Sequence, residues 1–102
     1  MTKGQKKRTR ELLRMYGAAQ RGQGQMDEAT RAAVGAAVEA IRADDELKYR
    51  LLRLRYLEGK STRAVIGALY LGETTYHKID LEVLSTAAVV LAERGCILSA
   101  QK

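Results

Sequence analysis

The chain has 102 residues, a length that suits one domain with one modest hydrophobic core. Phe, Trp and Pro are absent, and apolar residues recur at helical spacing, so the sequence predicts an all-α fold. No apolar run reaches the ~20 residues that span a bilayer, and the first residues lack the apolar segment of a signal peptide. We therefore expect a cytoplasmic protein that makes no membrane contact.

The positive charge is concentrated near the N-terminus. The net charge is +6; residues 1–25 contain seven basic residues and one acidic residue, whereas the two kinds balance in residues 26–102. Such an arm binds nucleic acid by releasing condensed counterions, without reading bases, although a solvated terminus that only aids solubility is the alternative. We divide the chain into a basic N-terminal arm, 1–25, and a helical domain, 26–102. Phosphate contacts are predicted for five cations of the arm: Lys6, Lys7, Arg8, Arg10 and Arg14.

Within the arm, residues 1–5 are expected to be disordered and residues 6–19 to form a short amphipathic helix. Four apolar residues follow helical spacing along one side: Leu12, Met15, Tyr16 and Ala19. This helix can dock on the core, lie on DNA or form only on binding, and the sequence does not choose among these arrangements. Two glycines in residues 20–25 predict a hinge after it.

The stretch after this hinge predicts a packing helix. Asp27 is a suitable N-cap for a helix that ends near Ala43. Its apolar side contains Met26, Ala29, Ala33, Val34, Ala37, Val38 and Ile41. The alanines permit close approach of a neighbouring helix, and nothing in the stretch indicates chemistry.

The next helix is predicted to form the centre of the domain. Asp44 or Asp45 caps it, and it ends near Glu58 with Gly59 as its left-handed stop. Apolar residues lie on two sides, with Leu47, Leu51 and Leu54 on one and Tyr49, Leu52 and Tyr56 on the other. Such a helix must be covered on both sides, so we expect it to lie between the preceding helix and the elements that follow. Three arginines at its margins are expected to be solvated: Arg50, Arg53 and Arg55.

Residues 61–80 predict a helix-turn-helix. Ser61 is a suitable N-cap for the first helix of the pair. Its inward residues are expected to be Val65, Ile66 and Leu69. A tight turn follows at Leu71–Gly72, where glycine can take backbone angles that a side chain forbids. The second helix is expected to run from about Glu73 to Arg94.

The start of this second helix carries hydrogen-bonding groups and a cation on the side opposite its apolar face. The apolar face contains Tyr76, Ile79, Val83, Leu84, Ala87, Val90 and Leu91. Helices of this kind meet base edges in a major groove with their N-terminal residues. Base contacts are therefore predicted for Thr74, Thr75, His77 and Lys78. Because the first helix of such a motif crosses the DNA backbone, Lys60 and Arg63 are predicted to contact phosphates.

The second half of the long helix is apolar on almost every side. Four residues add to the inward set: Leu81, Ala88, Val89 and Ala92. Such a segment needs more than one partner surface, either the N-terminal helices of the same chain or the same helix of a second subunit in a homodimer. Gly95 is expected to end the helix, with residues 96–98 folding back on its last turn. Asp80, at the apolar edge, needs a basic partner, and the three arginines named above are the candidates.

The sequence resembles a known family of regulators in three places: the run Leu54–Gly59, the helix pair, and the run Leu71–Leu84. These stretches look like the ArpU/RinA type of phage late-gene transcription regulator and, more distantly, region four of sigma factors. The resemblance covers roughly the C-terminal half and implies a small helical DNA-binding regulator from a bacteriophage or prophage. One departure is Gly72 where the family has a capping Ser; Glu73 follows it, and its charge repels phosphate.

Nothing in the sequence indicates catalysis. His77 is the sole histidine and Cys96 the sole cysteine, so we expect neither a nucleophilic triad nor a CxxC metal site. The acids at 44–46 diverge at a helix start and serve its dipole better than they would bind a metal. We expect no enzyme activity, metal or cofactor.

Together with the resemblance, these patterns predict a sequence-specific DNA-binding transcription regulator of phage or prophage genes, with double-stranded DNA as its partner. Two alternatives stay open. The first is a sigma-like adaptor that binds host RNA polymerase or another regulator. It is favoured by three acids along the second helix of the pair, which we call the reading helix: Glu73, Asp80 and Glu82. The small DNA-recognition subunit of a phage terminase can also carry a helix-turn-helix on a small helical body.

Overall fold

The computed structural model describes residues 1–97, which form five helices and no strand. In chain order the helices are α1 (Lys3–Gln20), α2 (Glu28–Asp44), α3 (Glu46–Leu52), α4 (Thr62–Leu69) and α5 (Glu73–Glu93). α3 continues directly into a π-helical segment, Arg53–Leu57, which we call the π turn. The predicted all-α class is confirmed. Over this range no helix is both long and apolar enough to cross a membrane.

α1 begins earlier than predicted. The Gln5 backbone N–H donates to the Thr2 hydroxyl at 3.0 Å, and the Thr2 N–H donates to the Gln5 side-chain oxygen at 2.8 Å. This reciprocal pair is a capping box, which satisfies two backbone donors at a helix start. The predicted disorder of residues 1–5 is therefore wrong, because the cap starts the helix at Lys3.

α1 is docked on the core, one of the three arrangements that the sequence left open. Leu12 and Leu13 are fully buried, and the helix contacts α2, α5 and the π turn. Its buried side consists of Gln5, Thr9, Leu12, Leu13 and Gly17. Met15, which lies on the predicted apolar side, is 42% exposed. The buried side of α1 is centred nearer to Thr9 than the apolar residues alone indicate.

α2, α3 and α5 form the centre of the domain, and each of them contacts the other two. As predicted, α2 starts at the N-cap Asp27, whose carboxylate accepts from the Thr30 N–H at 3.0 Å. Ala29, predicted on its inward side, is exposed, because the buried part of α2 begins one turn later at Ala33. Asp45 caps α3. As expected, α3 and the turn that follows it contact α2 on one side and the helix pair on the other, but α2 and α5 also pack directly on each other.

The π turn lies where α1 comes closest to the end of α3. The Glu58 N–H donates to the Arg53 carbonyl at 2.8 Å, which closes a wider turn than an α-helix has. Gly17 of α1 lies against this backbone: a Cβ there would overlap the Tyr56 carbonyl oxygen and lie 2.8 Å from the Leu57 Cα. The helix then ends near Glu58 with Gly59 at φ 74°, as predicted.

The turn between α4 and α5 uses a different residue from the one predicted. α4 starts at the N-cap Ser61 as expected, but its left-handed C-terminal residue is Tyr70, at φ 55° and ψ 44°. The Leu71 N–H donates back to the Ile66 carbonyl at 3.1 Å, so the helix closes before Gly72 is reached. Gly72 has an ordinary extended conformation. A side chain in the left-handed region costs about 1–2 kcal/mol, and the Tyr70 side chain is 95% exposed.

α5 is the longest helix, and the rest of the chain covers most of its surface. Its buried residues are Tyr76, Ile79, Asp80, Val83, Leu84, Ala87, Ala88 and Leu91. α1, α2 and α3 all contact it, so partners within the chain cover much of its apolar second half. Leu81 and Val89 stay 48% and 58% exposed, and the homodimer stays a prediction.

The end of α5 follows the expected pattern. Gly95 has φ 78°, and the Cys96 N–H donates to the Leu91 carbonyl at 2.9 Å, which turns the chain back on the helix. Cys96 and Ile97 are partly buried against the core. Leu98, the third residue expected to fold back, lies outside the described residues.

The contact between Gly17 and the π turn predicts opposite effects for two Gly→Ala substitutions. Gly17→Ala is expected to lower the free energy of unfolding by about 1–3 kcal/mol, because its Cβ must displace backbone atoms. Gly67→Ala on α4 meets no atom within 4 Å and should raise that free energy by about 0.5–1 kcal/mol. Urea unfolding of both variants measures these changes. A Gly17→Ala variant as stable as Gly67→Ala would contradict the packing described.

Candidate nucleic-acid interface

A cleft of about 400 Å³ lies where α1, the π turn, α4 and α5 meet. α1 contributes Lys7, Arg10, Glu11 and Arg14. The other three elements contribute Arg55, Tyr56, Thr62, Tyr76, His77 and Asp80. Four cations and two carboxylates line this space, which we call the basic cleft. Its positive charge comes from two parts of the chain that are distant in sequence.

Asp80 lines the cleft and is only 5% exposed. The Tyr56 hydroxyl donates to its Oδ1 at 2.8 Å, and the Arg10 guanidinium donates to its Oδ2 at 3.4 Å. The expectation that an arginine at the end of α3 would pair with Asp80 is wrong. α1 packs against α5 and supplies Arg10 as the basic partner, while the π turn supplies the neutral hydroxyl of Tyr56.

Burial and the neighbouring Asp80 carboxylate stabilise the protonated form of Tyr56. Burial raises the pKa of Tyr56 well above its usual 10.0, and the negative charge of Asp80 adds to this effect, which outweighs the opposing influence of Arg10. Burial alone would lower the pKa of Arg10, but its contacts with Tyr56 and Asp80 raise it. The network therefore consists of a neutral phenol, a carboxylate and a guanidinium.

The aromatic ring of Tyr56 is flanked by two further arginines. The guanidinium carbon of Arg14 lies 6.0 Å from the ring centroid, and that of Arg55 lies 5.8 Å from it. These distances are within the range of cation–π attraction. The Arg55 guanidinium also donates to the Lys60 carbonyl at 3.0 Å. Tyr56 thus holds Asp80 with its hydroxyl and two cations with its ring.

The four residues predicted to contact bases are all exposed: Thr74, Thr75, His77 and Lys78. Of these, His77 also lines the basic cleft, and its ring meets the buried Tyr76 ring edge-on with centroids 5.2 Å apart. The start of α5 and the cations of α1 therefore border one common space. The proposed contacts with bases stay a prediction.

The residues predicted to contact phosphate divide into three groups. Lys7 and Arg14 line the basic cleft. Arg10 also lines it and donates a hydrogen bond to Asp80, and its contact with phosphate stays a prediction. The remaining four lie outside the cleft lining: Lys6, Arg8, Lys60 and Arg63. Of these, Arg8 pairs with Glu11 at 3.3 Å and Lys60 approaches Glu58 at 4.0 Å.

Sequence reasoning missed Arg55 and Tyr56 as parts of the site. Arg55 was expected to be an ordinary solvated charge, and Tyr56 was assigned to an apolar stripe. Their placement depends on the π turn and on the close approach of Gly17, neither of which has a local sequence signal that we recognise. Within residues 1–97, no group of three or more His, Cys, Asp or Glu side chains is placed to hold a metal ion.

Comparison with known proteins does not assign a family. No protein-family model matches the sequence, and neither a curated protein nor a solved structure matches it. The resemblance to phage late-gene regulators therefore stays a prediction.

The Tyr56 hydroxyl is expected to stabilise the fold in a pH-dependent way. Tyr56→Phe should lower the free energy of unfolding at neutral pH by about 1.5–3 kcal/mol, the usual contribution of a hydrogen bond to a charged group. The raised pKa of Tyr56 means that this contribution is complete below pH 10 and is lost as the pH rises further, because the unfolded chain releases the proton first.

The difference between wild type and Tyr56→Phe should therefore be constant from neutral pH to about pH 9 and shrink as the pH rises from 10 to about 11, by up to ~1.4 kcal/mol per pH unit. Urea unfolding across this range measures it. Tyr70→Phe is the matched control, because it removes a hydroxyl from a side chain that is 95% exposed. A difference between wild type and Tyr56→Phe that is constant with pH would contradict the assignment.

Proposed function

We propose that this protein binds double-stranded DNA sequence-specifically through α4 and α5 and regulates transcription of phage or prophage genes. The observation that supports this most is the exposure of Thr74, Thr75, His77 and Lys78 at the start of a helix whose apolar side is packed into the core. Base-reading side chains need this combination of free groups and a rigid support.

The residue types suit base recognition. A threonine hydroxyl both donates and accepts hydrogen bonds, and its methyl group can contact the thymine methyl. A lysine donates to the guanine acceptors in the major groove. Because α5 is held by α1, α2 and α3, these groups need little ordering when DNA binds.

The surrounding charge also favours nucleic acid. Lys7 and Arg14 of α1 border the same cleft as His77, and Lys60 and Arg63 flank the start of α4. Cations on both sides of a reading helix fix its position on the phosphate backbone without adding sequence information. The acid at the helix start, Glu73, interacts favourably with the helix dipole but opposes phosphate at that corner.

The adaptor alternative is less well supported, because two of its three acids serve the fold. Asp80 is buried against Tyr56 and Arg10, and Glu82 lies 3.8 Å from Lys48 of α3. The buried Asp80 is poorly available to a protein partner, and Glu82 would have to give up its ion pair with Lys48. We therefore favour DNA over RNA polymerase as the direct partner. A homodimer through α5 stays part of the proposal, with Leu81 and Val89 as its exposed apolar residues.

Selection of bound sequences from random duplexes by the purified protein tests the proposal directly. A recovered sequence motif would support specific binding, and two-fold symmetry in that motif would also support a homodimer. Recovery of random sequences only would contradict specific recognition.

A double substitution in the reading helix should remove discrimination between sequences. Thr75→Ala with Lys78→Ala is expected to reduce affinity for the selected site by 10-fold or more, at about 1–3 kcal/mol per good base contact, while affinity for random DNA changes little. Equilibrium binding at one salt concentration measures both. The control is Ser85→Ala with Arg94→Ala, which removes one hydroxyl and one cation from exposed positions in the middle and at the C-cap of α5. Equal loss on both DNAs would count against base reading.

Phosphate contacts from α4 should appear in the salt dependence of binding. Lys60→Gln with Arg63→Gln is expected to reduce the slope of log affinity against log salt by roughly 2, at about 0.9 for each phosphate contact. Arg31→Gln with Arg94→Gln removes the same charge from other exposed positions and should leave the slope unchanged. If both variants lower the slope equally, the effect comes from net charge and not from α4. Deletion of residues 1–25 is unsuitable as a test, because it removes the buried Leu12 and Leu13.

A further inference from the structure

The basic cleft holds more positive charge than its own carboxylates neutralise. Both of its acids already have a basic partner: Glu11 pairs with Arg8 at 3.3 Å, and Asp80 pairs with Arg10 at 3.4 Å. Across residues 1–97, the other three cations of the lining form no ion pair with a carboxylate: Lys7, Arg14 and Arg55. Like charges held close together repel one another, and an anion between them removes that repulsion.

The two arginines of this set are held in place before any ligand arrives. Arg14 and Arg55 lie at the ring of Tyr56, which is itself fixed by its hydrogen bond to Asp80. The Arg55 side chain is fixed a second time by its hydrogen bond to the Lys60 carbonyl. A guanidinium has five N–H donors, so this bond leaves most of them for a ligand.

The chemistry of the cleft suits a phosphate group. Guanidinium groups bind phosphate oxygens with paired hydrogen bonds, and an ammonium such as that of Lys7 adds a point charge. Thr62 adds a hydroxyl, and His77 adds an imidazole on the side of the reading helix. The volume of about 400 Å³ also accommodates the sugar attached to a phosphate.

We propose that the basic cleft is a preformed binding site for a single phosphate group, held mainly by Arg14 and Arg55. The source of this phosphate rests on the proposed function: it would be a backbone phosphate of DNA that is bound beside His77. The site itself does not depend on that function. Free inorganic phosphate shares the chemistry and should occupy the same site. Arg55 of the π turn is thereby added to the cations that are predicted to contact phosphate.

The first experiment uses inorganic phosphate. The ¹⁵N-labelled full chain is titrated with phosphate at constant ionic strength, and the signals of the arginine side chains, Thr62 and His77 are followed by NMR. Saturable shifts are expected at Arg14 and Arg55, and Arg55→Gln should weaken the apparent affinity at least tenfold. Arg50→Gln is the matched control, because Arg50 is an exposed arginine of α3 outside the cleft lining. Thermal unfolding of each variant confirms that the fold is intact.

The second experiment uses duplex DNA. Arg55→Gln should reduce the salt slope of binding by about 0.9, and Arg50→Gln should not. Saturable phosphate binding that depends on Arg55, without any DNA binding, would support the site and overturn the DNA-binding proposal. DNA binding with a salt slope unaffected by Arg55→Gln would overturn the site as a contact for DNA and leave the DNA-binding proposal standing. Phosphate shifts that stay linear and are equal in the two variants, together with an unchanged slope, would overturn the site altogether.

Discussion

The carboxylate of Asp80 is the group on which the arrangement of this domain depends. It lies on α5, is almost fully buried, and accepts hydrogen bonds from Tyr56 of the π turn and Arg10 of α1. A buried carboxylate that loses its partner destabilises a fold by about 3–5 kcal/mol, so the three elements are constrained to meet at this point. Because Arg10, Tyr56 and Asp80 also line the basic cleft, the same contacts that join the helices shape the candidate site.

Because of this constraint, the N-terminal cations are held on a docked helix and not on a flexible tail. A flexible basic tail would present its cations at variable distances and would lose conformational entropy on binding. In the docked α1, Arg10 neutralises Asp80 and Arg8 pairs with Glu11, whereas Lys7 and Arg14 border the cleft. A run of similar residues is thus divided into charges that stabilise the domain and charges that are available to a ligand. The available ones lie at fixed positions relative to the start of α5.

The features predicted correctly from sequence are those that act over a few residues. The N-caps Asp27 and Ser61 and the glycine stop at Gly95 lie within one turn of the groups they satisfy, so their signals are local. The partner of Asp80 is seventy residues away along the chain, and no local pattern identifies it. The sequence placed the special backbone angles of the turn at Gly72 and not at Tyr70 for a different reason. Glycine tolerates that conformation best, but the hydrogen bond from Leu71 closes α4 early and leaves Tyr70 there.

The path of the chain gives α1 an unusual place in the order of folding. Gly17 packs against residues 56 and 57, and Arg10 meets Asp80, so α1 is secured by segments that are synthesised after it. At roughly 5–20 residues per second, synthesis of the seventy residues between Arg10 and Asp80 takes roughly 4–14 s. During that time the side of α1 that carries Leu12 and Leu13 lacks its final cover. The apolar side of α1 is therefore covered completely only after α5 has been synthesised.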